Sequence, residues 1–144
     1  MQVGNSRLGT VIKVKHFQVK KAQKELSVIS IDREQQEQHL DKLERRQTNA
    51  MSEAVRTMKA RAVDLQTSRA YIQSISRQIT QQAAKVDEVK FQEDGKRAEL
   101  LEKSQSKQML EKLDQKRRAE LEKEQERKSQ RMLDVLAQRT KTGS

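Results

Sequence analysis

The amino-acid sequence predicts an all-α protein, folded as a long antiparallel two-helix coiled coil, that is, a helical hairpin. Its 144 residues include no proline and no cysteine, 36% are charged and 2% are aromatic. This composition is typical of long helices and coiled coils. Apolar residues also recur at alternating spacings of three and four along the first third of the chain, which is the heptad pattern. A second, offset apolar stripe in the second half gives the first stripe a partner within the same chain.

The first helix is expected over residues 8–60. Its seam consists of positions that follow the three-four spacing: Leu8, Ile12, Lys15, Val19, Ala22, Leu26, Ile29, Arg33, Gln36, Leu40, Leu43, Gln47, Ala50 and Ala54. Most of these residues are apolar. Polar residues such as Arg33 and Gln36 in a seam trade stability for a defined register or oligomeric state.

A turn is expected at residues 60–67, because the apolar stripe changes register there and Asp64, Thr67 and Ser68 suit the N-cap of a new helix. The alternative is Asp94-Gly95, a common turn dipeptide. A turn at Asp94-Gly95 would leave the best heptad run, Leu8–Leu43, without an intramolecular partner. The earlier turn is therefore preferred.

The second helix is expected over residues 68–139, followed by a frayed tail at 140–144. Its stripe comprises Ile72, Ile75, Ile79, Val86, Val89, Leu100, Leu110, Leu113 and Leu121. With a turn near residue 64, residues 122–139 extend past the first helix. This segment is mostly charged but ends in the apolar residues Met132, Leu133, Val135 and Leu136. We expect this tip to dock onto a partner; the alternative is a frayed helix end with exposed apolar side chains.

Catalytic chemistry is not expected, and neither a cofactor nor a metal site is predicted. His16 and His39 lack a cysteine or a histidine at ligand spacing, and no glycine-rich phosphate loop is present. No apolar run approaches the roughly 20 residues that span a bilayer. The expected location is cytoplasmic.

The formal net charge is +10, and six basic residues precede the first acid, Glu25. Such a basic end suggests an acidic partner surface. A nucleic-acid-binding helix is disfavoured, because the seam runs through the basic stretch. A membrane-surface helix over residues 7–26 is possible, but the uninterrupted heptad favours a coiled-coil seam.

Several stretches resemble the FliJ family, the small coiled-coil component of the flagellar type III export apparatus. They are the opening Leu8-x-x-Val11-Ile12 with Lys21-Ala22-x-x-Glu25-Leu26, the segment Ala70-Tyr71-Ile72-Gln73-Ser74-Ile75, the spacing in Gln108-Met109-Leu110-Glu111-Lys112-Leu113, and the tail Met132-Leu133-Asp134-Val135-Leu136-Ala137-Gln138-Arg139. The resemblance covers nearly the whole chain.

The resemblance implies a non-enzymatic protein similar to the central stalk of rotary ATPases. Such a protein inserts into the hexameric ring of the export ATPase FliI, contacts the export gate protein FlhA and is linked to export chaperones. It would lie at the cytoplasmic face of the flagellar basal body, with at most peripheral membrane association and without binding nucleic acid.

The resemblance also suggests binding residues. The expected contacts with the ATPase ring are Leu8, Ile12, Lys13, Met132, Leu133, Val135 and Leu136. The expected gate-binding face is Tyr71, Ile75, Gln78 and Gln82, where Gln78 and Gln82 depart from the small residue and the histidine expected in the family. The residues alone slightly favour the alternative, in which this set is a mixed edge of the seam. Two alternatives remain open: the equivalent stalk of a virulence type III secretion system, and a homodimeric coiled-coil scaffold.

Overall fold

The computed structural model describes residues 7–56 and 62–142, and all of these residues are helical. Helix α1 spans Arg7–Arg56 and helix α2 spans Ala62–Thr142. The two long helices pack against each other as a hairpin, which confirms the predicted all-α fold. In the described part of the chain, neither helix has a stretch that is long and apolar enough to cross a membrane.

Residues 57–61, which hold the start of the expected turn, lie outside the described residues. Helix α2 is described from Ala62 onward, so Ala62–Thr67 are helical, and the position of the connection stays a prediction. The helix continues without interruption through Asp94-Gly95. Gly95 does not have a positive φ, so nothing in its backbone marks a turn. At the other end, the helix includes Thr140–Thr142, which were expected to fray.

The described residues fall into two units, and the first to consider comprises residues 21–56 and 62–100. Its seam is defined by hydrogen bonds between the helices: Gln47 donates to Ser76, Gln82 donates to Gln36, and Lys96 donates to Glu25. The numbers of the paired residues rise on one helix as they fall on the other, so the two segments are antiparallel. Facing residue numbers add to about 122, and this relation fixes the heptad register.

The buried side chains of this unit recur with heptad spacing on both helices. They are Ala22, Leu43, Ile75, Val86 and Val89, together with the polar residues Gln82 and Glu93. Every residue of the predicted α1 seam within this unit is buried or half-buried. The α2 seam follows the same rule from Ile72 onward, whether or not its residues are apolar.

At some levels of this seam the two helices meet through polar side chains, which form hydrogen bonds with one another. We call these levels polar layers. The Glu93 carboxylate, which is almost fully buried, pairs with Arg33 across the seam and with Arg97 on its own helix. The Gln82 amide donates to both the backbone carbonyl and the side-chain oxygen of Gln36. Among the described residues, no buried side-chain polar atom lacks a partner. Such layers favour one register over its neighbours, because a slipped pair leaves polar groups unpaired.

The second unit comprises residues 7–20 and 101–142. Its paired part has a thinner apolar seam, in which Val19 is buried while Leu8, Ile12 and Leu110 are half-buried. The remaining seam positions are charged and half-buried: Lys15, Lys103, Lys107 and Asp114. Leu113 and Leu121, which the apolar stripe placed in the seam, are exposed. The predicted α2 stripe contains only apolar residues, whereas the heptad continues through the lysines Lys103 and Lys107.

Residues 115–142 form what we call the bare segment of α2. All of them are exposed, and at 1.5 Å per residue they extend over about 40 Å. With a turn near residue 64, Leu8 is expected to face a position near Leu121 and the extension to begin at residue 122. It begins earlier because facing residue numbers add to about 122, which places the described start of α1 opposite residues near position 115.

Candidate functional site

The bare segment stays helical although nothing in the described chain covers it. It consists largely of Lys, Arg, Glu and Gln, which are strong helix formers. Local pairs add support, including Arg118 with Asp114 at 3.0 Å and the Gln130 amide, which donates to Asp134 at 3.3 Å. Near its end, the Thr140 hydroxyl donates to the Leu136 carbonyl. The sequence of the bare segment therefore favours a helix through local interactions.

The bare segment ends in a cluster of four apolar side chains that we call the tip cluster. Its members are 48 to 71% exposed: Met132, Leu133, Val135 and Leu136. At 100° per residue they occupy an arc of about 160° on one side of the helix. Covering their exposed surface would contribute on the order of 5 kcal/mol before the costs of association. A short apolar face on a charged helix can dock into a partner's groove.

The structure separates the residues expected to contact the ATPase ring into two groups. Leu8 and Ile12 are half-buried in the seam and Lys13 is exposed, whereas the tip cluster is exposed throughout. Leu8 faces the part of α2 near Asp114, so the tip cluster begins about 27 Å further along the helix. A partner that touches both groups must follow the bare segment over that distance.

The residues expected to bind the export gate do not share one exposed face. Ile75 is 3% exposed and Gln82 is also buried, because both occupy seam positions. Tyr71 is 55% exposed and Gln78 is exposed, and the two lie seven residues apart on one flank of the seam. The heptad spacing that starts at Ile72 and Ile75 also places Gln82 in the seam, so this burial can be predicted from the sequence. Whether this flank binds the gate stays a prediction.

Apolar surface is also exposed near the described ends of α1 and α2. A groove of about 450 Å³ there is lined mainly by the apolar residues Ala54, Val55, Leu65 and Ile72. Val55 and Leu65 are exposed, as is Met51 one turn earlier on α1. This groove is large enough to accept side chains of a partner.

Sequence reasoning did not single out Phe17 as a surface residue. It lies outside the seam and is 70% exposed, beside a groove of about 370 Å³. Its position could have been found from the heptad, because it lies midway between the seam positions Lys15 and Val19 on the outer side of α1. Within the described residues, no group of three His, Asp or Glu side chains is arranged to hold a metal ion.

Comparison with known proteins gives one family match. The family model described as flagellar FliJ protein matches residues 4–142, which is nearly the whole chain. No curated protein and no solved structure matches the chain significantly.

Proposed function

Because the chain belongs to the family of flagellar FliJ proteins and is thus a component of the flagellar export apparatus, we propose that it acts there as a stalk. In this role it binds the hexameric ring of the export ATPase FliI, promotes ring assembly and ATP hydrolysis, and links the ring to the export gate protein FlhA and to export chaperones. It performs no chemistry of its own. It acts by binding some states of the ring more tightly than others.

The bare segment is the observation that carries this proposal. A helix of about 40 Å that no other described part of the chain covers, and that ends in exposed apolar residues, suits insertion into a ring. Nine basic and five acidic residues of the bare segment, all exposed, keep its shaft hydrated. The tip cluster would supply the apolar contact, while Lys13 and the seam end at Leu8 and Ile12 would meet the ring mouth.

The test of ring binding is ATP hydrolysis by FliI with variants of the full chain. Replacing all four residues of the tip cluster with serine should abolish most of the stimulation, because the apolar contact is lost. The matched control replaces two other exposed apolar residues of α2, Leu101 and Met109, with serine and should stimulate as the unmodified chain does. Deletion of residues 129–144 should behave like the tip variant. Full stimulation by both the tip variant and the deletion would refute ring binding through this end.

Gate binding is proposed on the flank of the seam that carries Tyr71 and Gln78, both of which are exposed. Tyr71→Ala should weaken the binding of FlhA while leaving helix content unchanged, because Tyr71 makes little contribution to the seam. Ile75 is unsuitable for this test, since it is buried between the helices. Unchanged FlhA affinity in both Tyr71→Ala and Gln78→Ala would show that the gate binds elsewhere.

A further inference from the structure

The groove beside Phe17 combines an apolar wall with a cationic rim. Phe17 and Ile12 supply apolar surface, and the lysines Lys13, Lys20 and Lys107 line the same space. We call it the Phe17 groove. It lies entirely within the unit formed by residues 7–20 and 101–142. Its volume of about 370 Å³ is in the range of grooves that receive side chains of a ligand.

Positive charge in the Phe17 groove is only partly compensated. Residues 7–20 contain no Asp or Glu, so Lys13 and Lys20 have no acidic neighbour on their own stretch of helix. The acid that lines the groove is Glu111, whose carboxylate lies 3.7 Å from the Lys107 ammonium. Three lysines therefore face one carboxylate, and a ligand that supplies negative charge would be stabilised there.

The position of Lys107 is fixed by a contact with α1. Its ammonium lies 2.8 Å from Nδ1 of His16. Because an ammonium can only donate, Nδ1 accepts this hydrogen bond and the imidazole hydrogen is on Nε2. Lys107 is thus held between His16 and Glu111 in a recessed position, with its side chain 22% exposed. A ligand that reaches it must enter between the two helices.

We propose that the Phe17 groove is a docking site for an acidic amphipathic helix of a partner protein. Such a helix would place an apolar face against Phe17 and Ile12 and carboxylates beside Lys13, Lys20 and Lys107. It would lie along the helix pair as a third strand of the coiled coil, which is a common mode of helix recognition. Charge complementarity supports this occupant.

Two other occupants fit less well. A second copy of this chain would bring a basic surface against a basic groove, because the chain carries a net charge of +10 and its bare segment has more basic than acidic residues. An anionic membrane would meet the outer side of α1 at Phe17, but a flat surface would not reach the recessed Lys107. It would also repel the Glu111 carboxylate, whereas a helix can present a hydrogen-bond donor to it.

The test uses the full chain and a synthetic helical peptide about three heptads long, with Leu at the a and d positions and Glu at the e and g positions. Its counterpart has Lys at e and g. Fluorescence anisotropy should show binding of the Glu peptide and no binding of the Lys peptide. Phe17→Ser should weaken the binding of the Glu peptide by about tenfold or more, which corresponds to about 1.4 kcal/mol. Lys20→Glu should weaken it as well, and should gain affinity for the Lys peptide.

The matched control is Phe91→Ser, since Phe91 is 80% exposed on α2 but lies far along the sequence from the groove. It makes the same change of side chain on a helix surface and should leave peptide binding unchanged. Equal binding of the Glu peptide by Phe17→Ser and the unmodified chain would overturn the proposal. Binding to phosphatidylglycerol vesicles without binding of the Glu peptide would also overturn it, in favour of a membrane surface.

The Phe17 groove shares Ile12 and Lys13 with the expected ring contacts, but the two proposals are tested separately. The peptide assay contains no ATPase, and Phe17 and Lys20 are not among the expected ring contacts. Phe17→Ser should therefore stimulate ATP hydrolysis by FliI normally, whereas loss of the tip cluster should leave peptide binding intact. Failure of one proposal would not imply failure of the other.

Discussion

Replacing Ile75 with alanine should destabilise the hairpin, whereas the same replacement at the neighbouring Tyr71 should not. Ile75 is 3% exposed and occupies the seam opposite Gln47, while Tyr71 is 55% exposed on its flank. Replacing a buried Ile with Ala costs about 2–5 kcal/mol, and less where the surroundings can collapse. A seam between only two helices can partly close the gap, so we expect a loss of about 2 kcal/mol in the free energy of unfolding. Tyr71→Ala should change it by less than about 0.5 kcal/mol.

Urea unfolding followed by circular dichroism measures this difference. For a slope of about 2 kcal/mol per molar urea, Ile75→Ala should lower the midpoint by about 1 M. Tyr71→Ala serves as the matched control and should leave the midpoint unchanged. Equal midpoints for the Ile75 variant and the unmodified chain would refute the seam assignment, and with it the register in which facing residue numbers add to about 122.

The remaining predictions concern polar and glycine positions. Gly95→Ala should raise the free energy of unfolding by up to about 1 kcal/mol, because an added Cβ meets nothing within 4 Å; an unchanged or lower urea midpoint would contradict this. A hydrogen bond to Lys96 lowers the pKa of Glu25 below its usual value, and hydrogen bonds to Glu25 and Glu99 raise the pKa of Lys96. The stabilisation that Glu25 contributes to the fold is therefore present above its unfolded-state pKa and is lost as pH falls through its folded-state pKa. The stabilisation that Lys96 contributes is lost only as pH rises through its raised pKa. Lys96→Met should accordingly show a shallower loss of melting temperature below about pH 5 than the unmodified chain, and parallel curves would count against the pair. Replacing only the Arg33 partner of Glu93 with methionine should destabilise the hairpin more than replacing both residues, since the single change leaves a buried carboxylate with fewer partners; melting temperatures in the reverse order would argue against this layer.

Composition and heptad spacing were enough to predict the fold and the α1 seam. Every α1 residue that it selected is buried or half-buried, including the polar Arg33 and Gln36. This success has a physical reason: the spacing of three and four residues defines which side chains meet a partner helix. The α1 seam could be read because most of its positions are apolar.

The α2 seam was harder to read, because polar residues occupy much of it. Glu93 and Gln82 are buried there through hydrogen bonds that α1 supplies, and a single-helix pattern gives no sign of such partners. Two residues of the expected gate-binding set, Ile75 and Gln82, belong to this seam, and the heptad position of Ile75 in the apolar stripe already indicates this. The Phe17 groove depends on which α2 residues lie opposite Phe17, and the sequence alone does not give the register to that accuracy.

The most direct test of the stalk function is ATP hydrolysis by the flagellar export ATPase of the same organism, with and without this chain at moderate salt. The proposed stalk function predicts clear stimulation of hydrolysis, together with co-elution of the chain with an ATPase ring. Neither stimulation nor co-elution would contradict the proposed stalk function and leave the bare segment of α2 without its proposed partner.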